Sequence, residues 1–317
     1  MGAAAAGASQ AQDGEPLTGK RAVTGKTALS LGEFREKGDR DEKAALSLGA
    51  LGERGDREAV GEGTLPGPDP SARQTNRRQT RAAVQCEEHL TARLVPANLG
   101  YTFWAATYDR DPNPLLALEE RVLGPRLPDV RNKTVLDVGC GTGRWLLSLV
   151  QRGARWGVGI DLSTAMLRCA VSKSPPGAWL VRADALALPV QRESIDLVLC
   201  SFTIGHICSL SKAARELARV ARKGADIYVS GLHPEARARG WRCAFRHGAG
   251  TVEIPEFDEP LEVILRSFEA TGFESVSLLE PCFGSEERPI FVKGNKAAQF
   301  EAATTVPAMF IAHFRRA

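Results

Sequence analysis

From Lys133 onward the chain alternates short apolar runs with amphipathic stretches, and this alternation restricts the fold more than any single residue does. The apolar runs are "TVLDV", "RWGVGI", "AWLVRA", "IDLVLCS" and "ADIYVSG". Between them lie "RWLLSLVQRG", "STAMLRCAVSK" and "LSKAARELARVARKG", whose apolar residues recur at helical spacing. Strands that are apolar along their whole length are buried on both faces, and helical crossovers return the chain for parallel pairing. The pattern predicts an α/β fold with a doubly wound, Rossmann-like sheet. "LEVILRSFEATGF", "ESVSLLE", "RPIFVKG" and "VPAMFIAHFRR" then predict one more helix and three more strands.

The first of these strands runs into a glycine loop, "VLDVGCGTGRW", with Gly139, Gly141 and Gly143 at alternate positions. Glycines permit a tight turn and let a ligand approach the main chain, and the following helix start presents unpaired N–H groups. Arg144 stands where the dinucleotide fingerprint G-x-G-x-x-G requires its third glycine. Asp137 precedes the loop inside an apolar strand, where a carboxylate would repel a pyrophosphate and attract an ammonium. Asp161 ends the second strand, 24 residues later (161 − 137), where such folds place a carboxylate that accepts from ribose hydroxyls. The ligand so described has a ribose and a cationic amine.

Together with "GVGIDLSTAML", "RADALALPV" and "SIDLVLCSFTIGHI", this loop resembles successive motifs of the class I S-adenosylmethionine-dependent methyltransferases, most of all the small-molecule group called type 11. The likeness is strong over residues 130–231 and loose on both flanks. It implies S-adenosylmethionine as cofactor and a seven-stranded sheet whose last strand or two run antiparallel. It also implies direct methyl transfer to an O, N or C nucleophile of a small molecule. By this resemblance Asp137 and Gly139 face the methionine moiety, and Gly141 and Gly143 complete the loop. Asp161 binds the ribose and Leu162 lies against the adenine. Asp184 accepts from the adenine amine, with Ala183 and Ala185 beside it, and Ser201 lies near the sulfonium. Tyr108 and Asp109 resemble an aromatic–acid pair set over the cofactor. His206, just past the fourth strand, is the candidate catalytic base, with packing or loop anchoring as its alternative role. Two rival functions stay open: a non-catalytic S-adenosylmethionine-binding scaffold or sensor, and an NAD(P)-dependent oxidoreductase, which Arg144 and Asp137 oppose.

Residues 1–83 are rich in Gly, Ala, Arg and Glu and predict a disordered, low-complexity tail. Within it, two copies of "ALSLG" begin at Ala28 and Ala45, a period of 17 (45 − 28). Residues 84–129 predict a helical lid, with one helix in "VQCEEHLTARLVP" and another over 114–123, capped by Asn113 and stopped at Gly124-Pro125. The methyltransferase domain is expected over 130–317. Within it, 232–256 form an inserted hairpin, turned at His247 to Gly250, over the acceptor site. Arg237, Arg239, Trp241, Arg242, Phe245 and Arg246 make that hairpin basic and aromatic, suited to an anionic or aromatic acceptor.

A net charge of +3 is too small to point to nucleic acid or an anionic membrane as a partner, and no N-P-P-Y tetrapeptide follows the fourth strand. No apolar run approaches the roughly 20 residues that cross a bilayer. The start lacks the basic and apolar regions of a secretory signal, and Ala6 occupies the position where a myristoylation motif requires Ser or Thr. Seven scattered cysteines without a C-x-x-C pair suit a reduced cytoplasm, and no metal site is expected.

Overall fold

The computed structural model describes residues 92–317. The expected tail, its repeat and the first part of the expected lid helix lie outside these residues. The described chain opens with strand β1 (Arg93–Leu94), helix α1 (Ala97–Trp104) and helix α2 (Pro114–Leu123). Leu94 and Val95 were expected to continue a helix. Instead Arg93 and Leu94 pair with Val252 and Glu253, and Pro96 forms the start of α1. Helix α2 keeps its expected bounds because its signals are local. The Asn113 side chain accepts from the N–H groups of Leu115 and Leu116 at 3.1 and 3.4 Å, and Pro114 fills the first helical position.

The α/β part follows in the expected alternation: β2 (Thr134–Val138), α3 (Arg144–Gln151), β3 (Trp156–Asp161), α4 (Thr164–Val171), β4 (Ala178–Arg182), β5 (Ile195–Cys200), α5 (Leu210–Val220) and β6 (Ala221–Leu232). Helix α5 stops four residues short of the pattern, and "ARKG" opens a long β6 instead. Next come the short helix α6 (Pro234–Ala238), the hairpin β7 (Cys243–His247) and β8 (Gly250–Ile254), helix α7 (Leu261–Glu269) and strand β9 (Phe273–Leu279). Helices α8 (Arg288–Lys293) and α9 (Phe300–Ala303) precede the last strand, β10 (Met309–Arg316).

"RPIFVKG" was expected as a strand and is α8. Pro289 sits at its first turn, and Phe291 is buried edge-on against Phe283 and Phe300. A short apolar run has no period of its own, so its neighbours decide its geometry.

The main sheet has seven strands in the order β4-β3-β2-β5-β6-β10-β9. Strand β10 is antiparallel to both neighbours, and the other pairs are parallel. Consecutive residues point to opposite faces. Leu136, Val138, Val198 and Cys200 pack toward α5 and α7, while Val135, Leu197 and Leu199 pack toward α2 and α3. The chain order reverses between β2 and β5, and at such a switch point the carboxyl ends of the strands open onto a crevice.

A second sheet, ordered β1-β8-β7, forms a roof over that crevice with α1. Trp104 of α1 stacks on Phe245 of β7 at 4.6 Å between ring centroids, and Phe103 stacks on His247 at 5.0 Å. The inserted hairpin is therefore packed onto α1 by its aromatic side chains rather than standing free in solvent.

Candidate active site

Two cavities open at the carboxyl ends of the strands. The first, about 220 Å³, is lined by Gly139 and Gly141 of the loop, Asp161, Leu162 and Ser163 after β3, and Ala183, Asp184 and Ala185 after β4. Ser201, Phe202, Thr203 and His206 close it from beyond β5, and Tyr101 and Tyr108 from the roof. The second, about 350 Å³, lies under the hairpin and takes in Trp104, Trp241, Arg242, Phe245 and Arg246. Tyr101, Tyr108, Phe202 and His206 line both.

The sequence-derived site residues therefore converge, with two departures. Asp137 does not line the first cavity. It is 2% exposed, and its Oδ2 accepts from the N–H of Leu146 at 3.1 Å, so it caps the start of α3. Gly143 does not line the cavity either. Its φ of +86° begins α3, and a Cβ there would press within 3.2–3.4 Å of Leu147 and Ala170. Both residues serve the turn from strand to helix.

The other two loop glycines do different work. At Gly139 (φ +70°) a Cβ would collide with the Thr203 side chain, so Thr203 fills that space. At Gly141 (φ +54°) a Cβ would meet nothing within 4 Å, so its open side belongs to the cavity. Asp161 faces this opening. Its oxygens accept from the main-chain N–H of Gly141 at 2.8 Å and of Ser163 at 2.7 Å, and a carboxylate has lone pairs for further donors. Leu162 is 53% exposed beside it, an apolar face at the cavity mouth.

Asp109, expected over the cofactor, instead holds the roof to the loop. It accepts from Thr142 Oγ1 at 2.6 Å and from Lys173 Nζ at 2.7 Å. Trp104 Nε1 and Thr107 Oγ1 both donate to Asp111 and brace the same turn.

Burial governs the electrostatics. It pushes the Asp137 carboxyl up to about 7, opposed by the Leu146 N–H and the Arg144 guanidinium. It also raises the Asp161 carboxyl and the Tyr101 and Tyr108 phenols. His206 moves the other way, down to about 4, with the Pro255 carbonyl opposing burial without reaching hydrogen-bond geometry at Nδ1. At neutral pH its imidazole is uncharged, and its Nε2 lies 2.9 Å from the Tyr101 hydroxyl.

One centre was not legible in the sequence. Glu119 of α2 is fully buried and gathers Arg144, Trp145 Nε1 at 2.9 Å, Ser201 Oγ at 2.9 Å and Ser230 Oγ. Its partners lie 25 to 111 residues away in sequence, so no local pattern marks it. Tyr101 and Thr203 were missed likewise. Among the described residues, no group of three His, Cys, Asp or Glu is placed to hold a metal ion, and no helix is long and apolar enough to cross a membrane.

Residues 135–224 match the family described as "Methyltransferase domain". Over these residues the chain carries a methyltransferase domain.

Similar curated proteins cover this domain only in part. A demethylmenaquinone methyltransferase of Roseiflexus castenholzii is 38% identical over 98 residues, 29% of this chain and 40% of its own length. The biotin biosynthesis bifunctional protein BioHC of Cellvibrio japonicus is 33% identical over 135 residues, 41% of this chain and 26% of its own. A malonyl-[acyl-carrier protein] O-methyltransferase of Hamiltonella defensa is 38% identical over 33% of this chain and 40% of its own length. The chain thus spans less than half the length of these relatives. For the fold, a Listeria monocytogenes structure described as a putative S-adenosylmethionine-dependent methyltransferase superposes with a TM-score of 0.53 at 20% identity. It covers 64% of this chain and 99% of its own. A Mesorhizobium loti S-adenosylmethionine-dependent methyltransferase gives 0.52 at 21% identity, over 64% of this chain and all of its own.

The methyltransferase domain's first cavity fits that cofactor on its own chemistry. A half-buried carboxylate at the cavity wall suits ribose hydroxyls, the open side of Gly141 admits a ligand against the main chain, and Leu162 offers an apolar face to a base.

Proposed function

We propose that the chain transfers a methyl group from S-adenosylmethionine to an oxygen, nitrogen or carbon nucleophile of a small molecule. The observation that carries this reading is the wall formed by Tyr101, Tyr108, Phe202 and His206, which faces both cavities at once. A donor on one side and an acceptor on the other would meet across it, under a roof that excludes water.

S-adenosylmethionine supplies, when bound, a methyl group on a sulfonium and a neutral thioether as leaving group. Asp161, Leu162, Ala183, Asp184 and Ala185 hold the nucleoside end, and Gly139, Gly141, Ser201 and Tyr108 line the remainder. The chain's contribution is then mainly alignment and the exclusion of water. The uncharged His206 holds the Tyr101 hydroxyl, which presents an oxygen to the acceptor's nucleophile. An imidazole of such low proton affinity suits a nucleophile that gives up its proton readily.

Relatives named for action on demethylmenaquinone and on malonyl-[acyl-carrier protein] support an acceptor other than nucleic acid. The six described cysteines are all free, which supports a reducing, cytoplasmic setting.

Calorimetric titration with S-adenosylhomocysteine, with NADH in parallel, tests the donor. Binding of the thioether alone is expected, and an acceptor screen with labelled methyl donor then follows. Binding of NADH alone would overturn the reading.

A further inference from the structure

A further cavity, about 980 Å³ and larger than either of the two above, is a groove along helices α5 and α7. It follows α5 from Ser211 to Arg219, roughly 12 Å at the rise of a helix. Its walls carry Arg192, Lys212, Arg215, Arg219, Arg266 and Arg316 against a single acid, Glu216. That is +5 (6 − 1), whereas the whole chain carries +3, so everything else sums to −2 (3 − 5). The positive charge of this protein is gathered in one place.

The fold accounts for part of it. Arg219 holds Glu216 at 2.7 and 2.8 Å and donates to the carbonyls of Leu188 and Val190, and Arg316 donates to those of Ala218 and Gly272. Arg192, Lys212, Arg215 and Arg266 are different. They are exposed, and among the described residues no carboxylate lies within ion-pair distance of them. Glu262 and Glu269, the acids of α7, do not line the groove. Cations set side by side repel one another, and a concave wall focuses their field outward. An anionic partner settling among them relieves that repulsion.

The floor between these cations is apolar, made of Leu186, Ala218, Val263 and Ala270, and Val263 is 42% exposed. Basic rims over an apolar floor match a helix whose apolar stripe is flanked by carboxylates. No aromatic side chain lines the groove, so it offers nucleic-acid bases no stacking platform, and its concavity suits a rod rather than a bilayer surface.

We propose that this groove docks an acidic amphipathic helix of a partner protein. Leu186 lines both the groove and the first cavity, so the docked helix lies beside the loop that carries Asp184. The proposal is independent of what the two cavities at the strand ends bind.

Fluorescence anisotropy on the full chain tests it, with a labelled, lactam-stapled helical peptide that carries a leucine stripe between two rows of glutamates. Micromolar binding that weakens with added salt is expected. Arg215→Glu with Arg266→Glu should weaken it at least roughly tenfold, since two attractions become repulsions. The melting curve should stay in place, because both side chains are exposed. If that pair unfolds the chain, Arg192→Glu with Lys212→Glu makes the same test. A peptide with lysines in place of the glutamates should not bind. Absence of binding by the glutamate peptide, or binding that the charge reversals leave unchanged, would overturn the proposal. So would tighter binding of a thymidine oligonucleotide or of phosphatidylglycerol vesicles than of the peptide, which would assign the groove to nucleic acid or to a membrane.

Discussion

The Tyr101 hydroxyl lies 2.9 Å from Nε2 of His206, and these side chains, 105 residues apart, stand together in the wall between the two cavities. The same hydroxyl approaches Cys243 Sγ of the hairpin at 3.7 Å. One phenol therefore joins the roof helix, the loop after β5 and the inserted hairpin. Tyr101→Phe keeps the ring and its stacking on Trp104 but strands a buried imidazole nitrogen. Chemical denaturation should show a loss of roughly 1–3 kcal/mol, the cost of an unsatisfied buried group. S-adenosylhomocysteine affinity should change little.

Acid stability gives a second prediction, from two groups shifted in opposite senses. His206 titrates at about 4 when folded and near 6.5 when unfolded, so between those values the unfolded chain binds more protons and stability rises with pH. Asp137 titrates at about 7 when folded and near 3.8 when unfolded, so over that span the folded chain binds more protons and stability falls with pH. Each slope is about 1.4 kcal/mol per pH unit, and they offset one another between pH 4 and 6.5. Asp137→Asn should unmask a stability that rises with pH across that window, and His206→Asn one that falls. Urea midpoints measured at several pH values check both. Parallel profiles for the two variants would contradict the offset.

The loop glycines should separate stability from binding. Gly139→Ala drives a methyl group into Thr203 at a left-handed φ, and a loss of thermal stability is expected. Gly141→Ala meets open space, so its stability cost is only the backbone strain of about 1 kcal/mol, while S-adenosylhomocysteine binding should fall. Melting curves and calorimetry on both variants distinguish the two roles. Equal affinities for both variants would contradict the assignment of Gly141's open side to the ligand.

Asp109 should control how the roof sits. Asp109→Ala removes the acceptor of Thr142 Oγ1 in the glycine loop and of Lys173 Nζ after α4. Faster amide hydrogen exchange over residues 97–111 is expected, with the strands of the main sheet unchanged.

How much of this could be read from the sequence depends on how far apart the interacting groups lie. The alternation from Lys133 and the bounds of α2 were legible, because period and caps are properties of neighbouring residues. The loop, Asp161, Asp184 and Ser201 were legible as well, since each sits at the end of an apolar strand and parallel pairing brings those ends together.

The sequence by itself determined the doubly wound sheet, the edge at which the crevice opens and most of the residues that line the cavity there. Only the tertiary structure decided what the buried charges do. Asp137 turned to the start of α3 because the helix folds back over its own strand and offers it the N–H of Leu146. Glu119 found Arg144, Ser201 and Ser230 because three distant segments cross at one point, where a buried carboxylate must collect every donor within reach. The strand expected at 288–294 became α8 for the same kind of reason: aromatic neighbours supplied by other segments, not its own pattern, fixed its geometry.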